Sequence, residues 1–217
     1  MSSYTRLIGA TLAALILCAG QSDSESPKIV QPGAPGQPGR IVTAAEASMP
    51  RKAPARADIE FMQGMIIHHS QAVDMVTLLR ARGSGKALQT LGNRMTISQT
   101  DEIEFMKQWL RERRQPIGAR MTHNAGGLMP GMLSLNQMKA LALARGAAFD
   151  QLFLTGMIQH HTGALDMVED LLATPGAGQD NILFDFATDI DNTQRAEIEI
   201  MKRMLAKVAV PATKGKK

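Results

Sequence analysis

The stretch Phe61–Val76, "FMQGMIIHHSQAVDMV", is met again at Phe153–Val168 as "FLTGMIQHHTGALDMV". The copies agree at Phe, Gly-Met-Ile, His-His, Ala and Asp-Met-Val, and the offset from His68 to His160 is 92 residues. Two copies of a rare dipeptide in one frame mark an internal duplication, and a fixed period constrains the fold more tightly than local propensity does. A second pair follows at a nearly equal offset: "QTDEIEFMKQWL" from Gln99 and "QRAEIEIMKRML" from Gln194. Each unit is therefore a histidine-bearing segment followed by a Gln-x-x-Glu-x-x-x-Met segment.

Both segments carry helical period. With about 100° per residue, Phe61, Met65, Ala72, Met75 and Leu79 share a face with His68, and His69 lies beside Met62 and Val76. Met157, His160, Ala164 and Met167 likewise share a face, with His161 next to it. On the partner arms, Gln99, Glu102, Ile103, Met106 and Leu110 form one stripe, and Gln194, Glu197, Ile198, Met201 and Leu205 repeat it. Asp74 and Asp166 point away from the histidine faces.

The periodic segments predict helices from Asp58, a candidate N-cap, to about Arg82, from Lys86 to about Arg114, from about Ala147 to Ala173, and from about Asp180 to Lys207. Gly83-Ser84-Gly85, Pro116 and Thr174-Pro175-Gly176 end them. A short helix capped by Ser134 or Asn136 falters at Gly146. No segment shows convincing strand alternation. The fold expected is all-α: two repeated helical hairpins, each unable to bury its stripe alone, facing each other as a four-helix bundle. Repeat 1 covers 56–114, the linker 115–133 and repeat 2 134–207, within a domain spanning 56–210.

The rest of the 217 residues frames this domain. "MSSYTRLIGATLAALILCAG" has one early charge, Arg6, and an apolar run from Leu7 to Ala19, too short for a spanning helix; residues 1–20 read as a secretory signal peptide. The single cysteine, Cys18, raises lipid attachment as an alternative, although Leu17 stands where a lipoprotein signal normally has Gly or Ala. Residues 21–55 are rich in Pro, Gly and Ser and read as a flexible tether. Residues 208–217 form a basic tail with Lys214, Lys216 and Lys217. The expectation is export to the periplasm or cell envelope, with membrane contact only through an N-terminal lipid. Net charge is +4 with 4% aromatic residues and no basic–aromatic patch, which argues against a nucleic-acid partner.

The composition is rich in methionine, with 15 residues. Any one of them is adequate core filler. Two adjacent inward imidazoles, twice over, are harder to explain as filler, because burial costs desolvation unless partners are supplied. Metal ligation explains them better. Ferritin-type di-iron bundles place Glu-x-x-His on inward faces, but the residues three before His68 and His160 are Met65 and Met157. Thioether with imidazole favours copper, Cu(I) above all, while zinc or iron remain alternatives. The expected ligand set is His68, His69, His160 and His161 with Met65, Met75, Met157 and Met167, and with Met106, Met201, Glu102 and Glu197 on the partner arms. The loop "RMTHNAGGLMPGML" offers Met121, His123, Met129 and Met132 as an accessory capture site. No catalytic nucleophile–base pattern, phosphate loop or organic cofactor fingerprint is present.

The elements "HHSQAVDM", "HHTGALDM", "MPGML", "FDQLFLTGMIQHH" and "VQPGAPGQPGR" resemble the secreted bacterial domain-of-unknown-function 305 family, over roughly Val30 to Ala206. The resemblance implies a ferritin-like four-helix bundle and an association with periplasmic copper, carried by the paired histidines and the methionines beside them. The leading expectation is a non-enzymatic exported protein that captures or buffers copper. A ferritin-like metal-dependent oxidoreductase and a metal-free tethered interaction module are the alternatives.

Overall fold

The computed structural model describes residues 29–31, 39–43, 53–118 and 128–209. The leader, Cys18, Met121, His123 and the lysine tail lie outside the described residues. Two compact units are distinguished, Met1–Arg51 and Lys52–Lys217. In the first, β1 (Ile29–Gln31) pairs antiparallel with β2 (Arg40–Val42), Val30 opposite Ile41. The sequence reading expects no strand, and this ribbon corrects it. Three-residue strands are too short to display alternation, so periodicity carries no signal for them.

The second unit is built on α1 (Arg56–Arg82), α2 (Lys86–Glu112), α3 (Leu135–Leu143), α4 (Gly146–Ala173) and α5 (Asn181–Ala209). It is the expected pair of hairpins, α1–α2 and α4–α5, with the two histidine helices α1 and α4 packed against each other. Ser134 caps α3: its hydroxyl accepts from Gln137 N at 3.2 Å while Gln137 Oε1 accepts from Ser134 N at 2.9 Å. Asp58 is not the N-cap of α1. It sits in the first turn, where Oδ2 accepts the Ala55 N–H at 3.0 Å.

The other oxygen of Asp58 reaches across the molecule. Oδ1 accepts from Gly178 N at 2.7 Å, in the turn between α4 and α5. The residue one repeat later, Asp150 on α4, does the reciprocal job. It accepts from Ser84 N (3.1 Å), Ser84 Oγ (2.8 Å) and Gly85 N (3.1 Å) in the turn between α1 and α2. Both aspartates are buried, and such charge-assisted bonds satisfy turn N–H groups that would otherwise be orphaned. Each hairpin thus closes the other's bend.

Two apolar clusters fill the bundle. One joins Phe61, Met62 and Met65 of α1 to Met106 and Trp109 of α2, Val168 of α4 and Leu183 of α5. The other joins Met75 and Leu79 of α1 to Met95 of α2, Phe153 and Met157 of α4 and Met201 of α5. Phe105 of α2 stacks on Phe186 of α5 at 4.4 Å between ring centres. Arg113, at the end of α2, lies 4.1 Å above the Trp109 ring and bonds Asp180 Oδ2, while Asp180 Oδ1 caps α5 through Ile182 N at 3.0 Å. Trp109 is therefore packing at its helix end, as its position implies.

Candidate metal centre

The frame that puts His68 and His69 on the inner face of α1 puts His160 and His161 on the inner face of α4. Where the two helices pack, all four imidazoles are fully buried and separate the two apolar clusters as a polar waist. His68 and His160 meet ring to ring, with centroids 3.8 Å apart and planes tilted by 37°. Within each pair the rings are 6.4 and 6.3 Å apart, at 53° and 54°. The near-identity of these values is the duplication read in three dimensions.

The Nε2 atom of every ring is engaged. His69 Nε2 meets Glu102 Oε2 at 2.5 Å and His161 Nε2 meets Glu197 Oε2 at 2.7 Å. Ser98 Oγ donates to the other Glu102 oxygen at 2.8 Å. His160 Nε2 bonds the carbonyl of His68 at 2.9 Å, and His68 Nε2 bonds the carbonyl of Pro130 at 3.0 Å. Carbonyl and carboxylate oxygens only accept, so each Nε2 carries the proton. In the neutral ring Nδ1 is then a bare lone pair.

Burial, reinforced by the neighbouring His69 and His161 rings, drives the His68 imidazole from 6.5 down to about 3, against the opposing bond to Pro130. Burial and the neighbouring imidazoles hold His160 well below its ordinary value too. Both rings are neutral at pH 7. Burial pushes Glu102 upward, but the hydrogen bond and electrostatic pull of the His69 N–H, with the bond from Ser98, outweigh it and hold the carboxyl below its ordinary value.

Among the described residues no group hydrogen-bonds any of the four Nδ1 atoms. They and both amide atoms of Gln99 and of Gln194 are buried without partners; the only others of this kind among the described residues are Arg82 Nε and Trp109 Nε1. Gln99 and Gln194 sit one turn before Glu102 and Glu197 on matching helices. Buried polar groups are paired in the great majority of cases, so this concentration makes the waist the candidate binding site. Bare imidazole nitrogens fixed by bonds on the opposite ring atom are the donor set and the outer support that a metal requires.

Of the sequence-selected residues, the four histidines, Glu102 and Glu197 lie in one layer of the bundle as adjoining pairs. Met65 and Met106 sit fully buried in one flanking cluster, Met157, Met75 and Met201 in the other. Met167 is half-buried and lines a surface groove with Met129 instead. Asp74 and Asp166 are exposed, as their helical angle predicts. Among the described residues no group of three or more His, Cys, Asp or Glu side chains converges on one point; the histidines and glutamates meet in pairs, His68 with His160, His69 with Glu102 and His161 with Glu197. Gln99, Gln194, Ser98 and the Pro130 carbonyl enlarge the site beyond the sequence reading. The two glutamines were legible on their stripes. The carbonyl left no trace in sequence.

A duplicated helical hairpin closed around a buried histidine waist defines the class of protein. Residues 58–205 match the family model described as Domain of unknown function (DUF305), and the chain belongs to that family. A DUF305 protein of Streptomyces coelicolor is similar over 71% of this chain and 94% of its own, with 27% identity and a TM-score of 0.64. A DUF305 fragment from Deinococcus radiodurans covers 72% and 99%, with 26% identity and a TM-score of 0.64. CopM in its Cu(II)-bound form covers 69% and 96%, with 29% identity and a TM-score of 0.58, and CopM is also solved in Cu(I)-bound and Ag-bound forms. Comparison with proteins of curated function returns no match.

Proposed function

We propose that this chain binds copper, Cu(I) in preference, and serves to capture or buffer it in the cell envelope. One observation carries the reading: four buried imidazoles with every Nε2 tied and every Nδ1 free. Nitrogen donors of this kind, flanked by Met65 and Met106 on one side and Met157 and Met201 on the other, suit a soft monovalent ion. Glu102 and Glu197 orient His69 and His161 and raise their donor strength. The copper and silver complexes of CopM, a protein of the same bundle architecture, support the same assignment. The envelope location rests on the leader pattern of residues 1–20; no described helix is long and apolar enough to cross a membrane.

The test is competition titration of untagged protein against a chromophoric Cu(I) chelator under reducing conditions, with Zn(II), Fe(II) and Mn(II) as competitors. Cu(I) is expected to bind more tightly than Fe(II) or Mn(II). Replacing His68 and His160 by Ala is expected to weaken Cu(I) by at least about tenfold, the scale on which loss of support around a metal is felt. An equal ranking of the metals would overturn the copper assignment and return the ferritin-like oxidoreductase to first place.

A further inference from the structure

The segment Leu128–Ser134 runs as a strap across α1 and α4. Met129 on this strap and Met167 on α4 both approach Gly64 of α1. A Cβ placed at Gly64 would lie 3.2 Å from Met129 Sδ and 3.5 Å from Met167 Cε. They line an open groove of about 400 Å³, together with Phe61, and Glu60 and Asp170 line it as well. Glu60 is bonded by the exposed Arg56 at 2.7 Å.

The duplication supplies an internal control. The residue matching Gly64 is Gly156, and there a Cβ would meet Leu133 at 3.0 Å and Met75 Cε at 3.4 Å. On that side the strap contributes Leu133 instead of Met129, the matching methionine is fully buried, and the residues matching Glu60 and Asp170 are Leu152 and Leu78. The packing solution to this position is thus an aliphatic strap residue among leucines. The copy at Gly64 departs from it at three positions at once: a thioether, Met129, in place of Leu133, and carboxylates, Glu60 and Asp170, in place of Leu152 and Leu78. Thioether pairs select soft monovalent ions, and carboxylates raise the local concentration of any cation.

We propose that Met129 and Met167 form a second soft-metal site over Gly64, separate from the histidine waist, with Glu60 and Asp170 at its entrance. It takes a monovalent ion of the Cu(I) class. Gly64 lies one turn, about 6 Å of rise, from His68, and Pro130, next to Met129, holds His68 Nε2 through its carbonyl. An ion held here is one helical turn from the waist. The proposal deepens the copper reading and takes only the identity of the ion from it.

Silver ion is the probe, titrated into the protein labelled at the methionine methyl carbons and followed by NMR. The methyl signals of Met129 and Met167 are expected to move together, and M129L/M167L, a volume-conserving change, is expected to lower the silver stoichiometry by one ion while the far-ultraviolet circular dichroism stays unchanged. Movement of these two methyls that persists in H68A/H160A establishes the site as separate, even if the waist binds nothing. Static Met129 and Met167 methyls at saturating silver, or an unchanged stoichiometry in M129L/M167L, overturn the proposal and leave the waist reading untouched.

Discussion

His68 and His160 are buried neutral against each other, and this has a consequence for acid stability. In the unfolded chain each ring takes a proton as the pH falls below 6.5; in the folded chain His68 resists until about 3, and His160 is depressed as well. The unfolded state therefore binds more protons throughout that window. Stability is full above pH 6.5 and falls as the pH drops, by about 1.4 kcal/mol per pH unit for each ring. Glu102, held below its ordinary 4.5, acts in the same direction: its contribution is present above that value and lost as the pH falls through its lower folded value. Denaturant unfolding of metal-free protein at pH 7.5, 6 and 5 is expected to show this slope, and H68N to remove one ring's share of it. A profile flat from 6.5 to 5 would mean that the rings protonate inside the fold. Residue chemistry of this kind was readable in part. The inward aim of the histidines follows from helical angle, but the choice of partner for Nε2 does not, because a backbone carbonyl such as that of Pro130 has no signature in sequence.

At the level of elements, the differences between the two repeats find their reason in the strap. Three residues after the first histidine, repeat 1 has Gln71 and repeat 2 has Gly163. Gln71 grips the strap, donating to Leu133 O at 3.0 Å and accepting from Leu133 N at 2.7 Å. Gly163 makes room for it: a Cβ there would stand 2.1 Å from Pro130 O, and one on Gly131, whose φ is +70°, would stand 2.4 Å from Gln159 O. Only bare backbone fits between α4 and Pro130-Gly131. Gly163→Ala is accordingly expected to lift the strap, break the His68–Pro130 bond and cost about 1–3 kcal/mol, measured by denaturant midpoint. Gly156→Ala should be milder, since its neighbours are the mobile ends of Leu133 and Met75. The helices themselves were legible nearly to their ends, because long amphipathic runs bounded by Gly and Pro over-determine them. The β1–β2 ribbon was not, and neither was the transverse reach of Asp58, which reads locally as a cap. The constant offset to Asp150 was the available clue, since a cap has no reason to recur in the middle of the second unit's "AAFDQLF".

For the whole molecule, the waist predicts coupling between hairpins. An ion bound by imidazoles from both α1 and α4 ties the two halves, with a gain of about 2.7 kcal/mol at a hundredfold excess over Kd. Thermal melts with and without Cu(I) should show a large shift in the native protein and loss of most of it in either H68A/H69A or H160A/H161A. Roughly additive losses would indicate two independent sites. The four long helices, their pairing and the convergence of both histidine stripes were all present in the duplicated frame. Which helices lie innermost was not, since it depends on how stripes of nearly equal width compete for the centre. The two aspartate clamps carry one more meaning. Each hairpin bears both a hook, Asp58 or Asp150, and the eye into which the other's hook fits, at Ser84-Gly85 or Gly178. A surface that is its own complement is what a two-fold homodimer uses. The chain is in this sense a dimer covalently joined, with the strap as the seam that only a single polypeptide permits, and that seam frees one half to diverge from the other.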